Sequence, residues 1–353
     1  MLPYYILIGL PMLLSLVKYP DDKKVFNKRF PLLVFFVILI VMLSLRGVAC
    51  GIDLYIYKDK FMHSDSFSFF SLFDLSNIEP GIQLLMAFCK ILTNNFQFFL
   101  FVCAVISLVP IAVLYIKQTK HNLLTIALFV GLAPFSIFFS GLRQSVALGI
   151  GAVCYFFCEK RKPIPFLLLV FTAFLFHQSA VILLLMYPLM HLKITKKWLI
   201  PIIVAFAVCF YFREQIFGVI LNINRRYYDL YEITHTGSYS FLILLILLTV
   251  FSFVMLKDSE TEIFGLRNIL LFTLFLQCFS SVNTVAMRLN YYYLIFIPIL
   301  IPKVIDDTRI RYKQIARIAS YVFVVFFIFW FFKEAYTGTD VLQIFPYVPF
   351  WEG

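Results

Sequence analysis

Apolar runs of 13 to 21 residues, parted by short polar linkers, recur along the whole chain, the longer ones close to the roughly 20 residues a helix needs to cross about 30 Å of hydrocarbon. Twelve can be drawn: 2–17, 30–45, 96–116, 122–139, 143–158, 164–176, 179–192, 198–212, 239–256, 266–281, 290–302 and 316–332. The pattern predicts an all-α, polytopic integral membrane protein with about twelve transmembrane helices, a single transmembrane domain over residues 1–353. Several runs are short enough to need tilt or local thinning of the bilayer. The first has neither a basic leader nor a small-residue cleavage site and reads as a retained span. A further apolar segment, Gly81 to Leu92, is too short to cross and return. It reads as a helix in the outer interface, opened by Glu79-Pro80-Gly81, since Pro at a first helical position with an acid before it is a helix start.

Charge orients these spans. Of 30 Lys and Arg, 20 fall in the linkers 18–30, 117–121, 159–163, 193–197, 257–267 and 303–317, which the positive-inside rule places in the cytoplasm. Both termini and the segments 46–95, 213–238 and 333–353 then lie outside. Arg is 6 of the 20 inner cations but 6 of the 10 outer ones: Arg46, Arg143, Arg213, Arg225, Arg226 and Arg288. Topology does not favour Arg over Lys outside, whereas forked binding of phosphate or carboxylate does.

Composition agrees with a membrane protein: 62% hydrophobic, 44 Phe, 20 Tyr and 14% charged residues. No inner linker exceeds about 15 residues and no GxxxxGK[ST] loop is present, so a cytoplasmic nucleotide-binding domain is excluded. The seven cysteines show no paired spacing, so neither a disulfide framework nor a zinc site is indicated. No metal, cofactor or nucleic-acid partner is expected.

Candidate chemistry therefore lies outside. Arg143 and Gln144 open one span and Arg288 another, where the helix dipole is positive and disfavours a cation by roughly 0.3 to 1 kcal/mol. A negative group should sit there, and such helix starts make a phosphate or pyrophosphate site. Pairing with Asp53, Glu79 or Asp229, or contact with lipid head groups, is the structural alternative. Arg46 ends a span, where a cation is favoured anyway. His177 interrupts an apolar stretch beside Gln178 and Ser179, and its range suits it to take a proton from a hydroxyl. Asp53 is the competing base. Outer aromatics such as Tyr57 and Tyr292 fit an interfacial belt, but Tyr228, next to Arg225 and Arg226, also fits ring stacking on a glycan.

Taken together, the RGxxxGxDxxxY stretch Arg46–Tyr57, EPG at 79–81 before NNFQ at 94–97, GLRQ at 141–144, FHQSA at 176–180, MRLNYYY at 287–293 and PYVPFW at 346–351 resemble the EpsG-like branch of the Wzy polysaccharide polymerases. The chain departs from that pattern at Cys50 and Ile52. The resemblance implies a bacterial inner-membrane protein that polymerises O-antigen or exopolysaccharide repeat units outside the membrane, both substrates being carried on undecaprenyl pyrophosphate. A chain-length regulator and a flippase would be its pathway partners. The expected roles are Asp53 or His177 as base, Arg46, Arg143 and Arg288 on the pyrophosphate, and Tyr57, Glu79, Gln144, Arg225, Arg226, Tyr228 and Tyr292 on the glycan. Two rivals are an O-antigen ligase, which shares the donor and the arginine logic, and a lipid-linked glycan flippase, which should show two related halves and mid-membrane polar groups. A membrane acyltransferase is weaker, since its inner histidines would be His121 and His191, both beside lysines.

Overall fold

A computed structural model of the chain describes residues 1–17, 24–63, 79–132, 134–194, 196–223, 239–256, 261–283, 286–338, 340 and 342–352. From the N-terminus the helices are α1 (Leu2–Leu16), α2 (Lys24–Leu45), α3 (Leu54–His63), α4 (Pro80–Leu92), α5 (Phe96–Gln118), α6 (Asn122–Gly131), α7 (Pro134–Ser140), α8 (Leu142–Glu159) and α9 (Pro163–Phe176). They continue as α10 (Met186–His191), α11 (Leu199–Tyr211), α12 (Arg213–Ile223), α13 (Ser240–Met255), α14 (Thr261–Ser280), α15 (Met287–Leu294), α16 (Ile297–Asp306) and α17 (Lys313–Thr337). The described residues contain helices, turns and two isolated bridges but no sheet.

Among the described residues three helices are long and apolar enough to cross a membrane, or up to six if each bent pair is one span, and shorter apolar helices accompany them. The twelve apolar runs thus do not all become unbroken helices. Run 122–139 divides into α6 and α7, run 290–302 into α15 and α16 with a 42° bend, and run 179–192 begins in 3-10 geometry over Gln178–Leu185. Apolar side chains face outward on α11 and α17, where Ile200, Ile203, Val204, Val325 and Phe329 are exposed. Soluble domains bury such stripes, and a lipid solvent explains them.

The chain divides into two compact units, one of Met1–Val181 with Ile318–Gly353, the other of Ile182–Arg317. In the first, α2 packs on α1 and α5, α5 on α8, and α8 on α9. Its interior is aromatic: Phe35, Phe36, Tyr115, Phe129 and Phe138 lie edge to face or tilted against one another. The amphipathic turn α3, which the apolar pattern did not anticipate, buries Leu54, Tyr57 and Phe61 at helical spacing.

In the second unit α14 packs against α10, α13, α15 and α16. Carboxamides tie its helices together: buried Asn290 donates to Thr273 O and Gln277 Oε1, and Asn268 donates to the carbonyls of Leu189 and Leu192, where α10 ends. Arg267, which the charge count assigned to an inner linker, is instead buried in α14 between Phe253 and Phe264. Its Nη2 donates to Ile194 O at 2.8 Å. Ring faces and a carbonyl replace water around the guanidinium.

Candidate functional site

In the first unit hydrogen bonds join the end of α2 to the start of α5, and α3 and the start of α4 to the start of α8 and the end of α9. The polar centre is Glu79. It is the N-cap of α4, followed by Pro80 at the first helical position, so its carboxylate stands at the positive end of a helix. Gly81 then sets the approach: a Cβ there would lie 2.8 Å from Leu175 O, so only glycine lets α4 begin directly against the last turn of α9. His177 is the residue that ends α9. Its Nδ1 lies 3.2 Å from Glu79 Oε1.

Arg143 completes the group from the first turn of α8. Its Nη1 donates to the other carboxylate oxygen of Glu79, and its Nε donates to the Tyr57 hydroxyl at 2.8 Å. The anion beside this cation at a helix start is therefore Glu79. The Glu79 and His177 side chains are 9% and 14% exposed, and that of Arg143 is 31% exposed. Burial alone would raise the Glu79 carboxyl, but the His177 hydrogen bond and the Arg143 guanidinium outweigh it and hold it down at about 2. Tyr57 is pushed up to about 12, because its burial exceeds the opposing pull of Arg143, so it remains a neutral phenol.

This arrangement has one chemical consequence. A neutral imidazole facing a carboxylate through Nδ1 must carry its proton on Nδ1 to make that bond, which places the basic lone pair on Nε2. Glu79 thus orients the ring and stabilises the imidazolium that forms when Nε2 takes a proton, the same logic by which a carboxylate supports a catalytic histidine elsewhere. Asp53 lies just before α3, half-buried, with its carbonyl accepting from Tyr57 N at 3.4 Å. Among described residues no three His, Cys, Asp or Glu side chains cluster as a metal site would require.

Arg46 has a different setting. Its side chain is 1% exposed, Nη1 caps α2 by donating to Leu43 O at 2.6 Å, and the guanidinium sits 5.8 Å from the Phe139 ring centroid. Nε and Nη2 are buried with no hydrogen-bond partner, and burial lowers the group to about 10. The loop after it receives the C-terminal tail. Gly47 N donates to Val348 O, Phe350 N to Leu45 O and Gly51 N to Gln343 O, while the Tyr347 hydroxyl donates to Met42 O. Asp340 folds the tail by accepting from the backbone N–H groups of Leu342, Ile344 and Phe345. Gly51 is required here, since it adopts φ +119° and a Cβ would strike Phe139 O. The glycines of RGVACG and the tail PYVPFW, separate motifs in the sequence, are two halves of one contact.

The remaining expected residues are dispersed. Gln144 is buried beside Arg143 in the first turn of α8. Arg288 is half-buried in the first turn of α15, in the second unit, and Tyr292 is wholly buried there, which gives its ring a packing role in this structure. Arg225, Arg226 and Tyr228 lie outside the described residues. The Arg143–Glu79 pair is one of the structural alternatives given above, whereas the sequence gives no sign of the link from Glu79 to His177. A family model described as the EpsG family matches residues 29–348. No curated protein and no solved structure matches the chain.

Proposed function

The chain belongs to the EpsG family, and from that premise we propose that it is a polysaccharide polymerase that joins lipid-linked oligosaccharide repeat units by glycosyl transfer at the outer face of the bacterial inner membrane. The observation that carries this reading is the Arg143–Glu79–His177 group, with Tyr57, in an otherwise apolar helical unit. In this reading the shorter apolar helices also cross, giving about twelve spans with both termini outside. The donor and acceptor are carried on undecaprenyl pyrophosphate, and a flippase and a chain-length regulator act before and beside the enzyme.

The hydroxyl of the incoming repeat unit gives its proton to His177 Nε2, and its oxygen bonds to the anomeric carbon of the donor chain. The anomeric C–O bond breaks, and its electron pair leaves with undecaprenyl pyrophosphate. Charge grows on that pyrophosphate as the bond breaks, so a guanidinium held in place stabilises the transition state more than the ground state. Arg143 supplies it, having exchanged part of its bond to Glu79 for the substrate, and Arg288 is the second candidate. Glu79 meanwhile balances the imidazolium. Asp53 is the alternative base, and Arg46 is assigned to capping α2 beneath the tail. The mechanism uses no metal, and activity that vanished with a chelator and returned with a divalent ion would overturn that part.

Deletion of the gene tests the reaction class. A polymerase mutant carries single repeat units on its surface glycan, a ligase mutant accumulates long lipid-linked chains never attached, and a flippase mutant shows neither. The first pattern is expected, and either of the others contradicts the reading.

A further inference from the structure

Lys58, the residue after Tyr57 on α3, borders a cavity of about 170 Å³ also lined by Arg46, Gly47, Asn95, Gln97 and Phe350. At roughly 15 Å³ for each water-sized position, it has room for one six-membered ring and its substituents. Its chemistry is defined by what the neighbouring bonds leave over. Asn95 uses its carboxamide oxygen to accept from Gln97 N at 2.8 Å, which leaves the NH2 group as donor. Gln97 uses its NH2 group to donate to Arg46 O at 3.0 Å, which leaves its oxygen as acceptor. The start of α5 points its positive dipole end at this place, and exposed Lys58 adds a full charge. Phe350, brought here by the tail's bonds to α2, offers an exposed ring face.

Two cations, Arg46 and Lys58, with a helix start, a carboxamide donor, a carboxamide acceptor and an aromatic face match a hydroxylated ring that bears a negative group. We propose that this cavity is a glycan subsite that holds a carboxylate-bearing sugar of the substrate, linked through α3 to the group that performs the transfer. Tyr57 and Lys58 are consecutive, so α3 presents one residue to Arg143 and the next to the cavity. The donor and acceptor carboxamides suit the adjacent hydroxyls of a sugar ring, and the aromatic face suits its C–H face; a lipid head group, whose glycerol also carries hydroxyls, is the outcome that the vesicles below test. The proposal rests on the polymerase reading.

The test uses the full chain, purified in neutral detergent, carrying Trp198→Phe and Trp330→Phe so that Trp351 alone reports. Trp351 packs against Phe350 with ring centroids 5.1 Å apart. The probes are a glucuronic-acid-containing tetrasaccharide, the same tetrasaccharide with its carboxyl reduced to the alcohol, and phosphatidylglycerol vesicles. The expected result is a saturable fluorescence change with the acidic tetrasaccharide. Affinity should fall roughly tenfold or more for the reduced form and for Lys58→Gln, the size of one lost charge-assisted hydrogen bond. Gln97→Ala should also weaken it, and this variant serves if Lys58→Gln does not fold. Equal binding of the reduced form, no response to either saccharide, or saturation by the vesicles instead would overturn the proposal. Arg143→Ala separates the two claims, because it should lose polymer while keeping the saccharide response. A protein that polymerises but binds no acidic sugar loses only the subsite.

Discussion

A carboxylate that receives a guanidinium and an imidazole together fixes the position of both, so substitutions at Glu79, Arg143 and His177 should not behave alike. His177→Gln keeps a polar side chain of similar reach but has no base, and it should reduce polymer formation by about 10²–10⁴-fold with protein still in the membrane. If Asp53→Asn does this instead and His177→Gln does not, the base is misassigned. Arg143→Lys should rescue poorly, because one ammonium cannot hold Glu79, Tyr57 and a phosphate in the planar fork that Arg143 presents. Full chain length in an Arg143→Lys, Arg288→Lys strain would contradict the phosphate role. Glu79 also gives a pH signature. Its carboxyl is depressed from 4.5 to about 2, so its contribution to stability is complete above about 4.5 and is lost as pH falls towards 2. Thermal unfolding in detergent should show the native protein more stable than Glu79→Gln at neutral pH, with the difference shrinking only below about pH 4.5. A difference that disappears between pH 8 and 6 would assign it to another group.

At the scale of elements, glycine contacts and the tail join helices that the apolar pattern leaves separate. Gly51→Ala should cost ~1–3 kcal/mol for its left-handed backbone, and more from the collision with Phe139 O, read as a lowered unfolding midpoint. Gly81→Ala is milder for the fold but specific for the site. Pushing α4 off Leu175 O should separate Glu79 from His177 and lower activity in a protein that still folds. Much of this level was legible beforehand: Pro80 and Glu79 marked the start of α4, and Arg143 at a helix start demanded an anion. The partner of that anion was not legible, because the distance from Glu79 to His177 depends on where α9 ends against Gly81. Arg46 shows the same limit from the other side. A conspicuous arginine after a span reads as a ligand for phosphate, yet tail residues nearly three hundred positions away bury it, and no local pattern announces that contact.

For the whole molecule, hydropathy and charge indicate a helical membrane protein, and the match over residues 29–348 shows its family. Bent pairs such as α15 and α16 and the 3-10 stretch before α10 escape a count of apolar residues, since composition is the same whether a helix runs straight or breaks. The proposed orientation has a direct check. In a background with native cysteines replaced, Lys58→Cys should react with a membrane-impermeant maleimide in intact cells, and Arg161→Cys only after permeabilisation. The reverse pattern would place the Arg143 group on the inner face and remove the polymerase reading. The central claim is tested most directly by reconstitution. The purified protein is given undecaprenyl-pyrophosphate-linked repeat units alone, and glycan length and released undecaprenyl pyrophosphate are measured together. The account predicts a ladder of lengthening chains with one carrier released per linkage, and neither product with Arg143→Ala; unchanged repeat units with the native protein, or an undiminished ladder with Arg143→Ala, would contradict it.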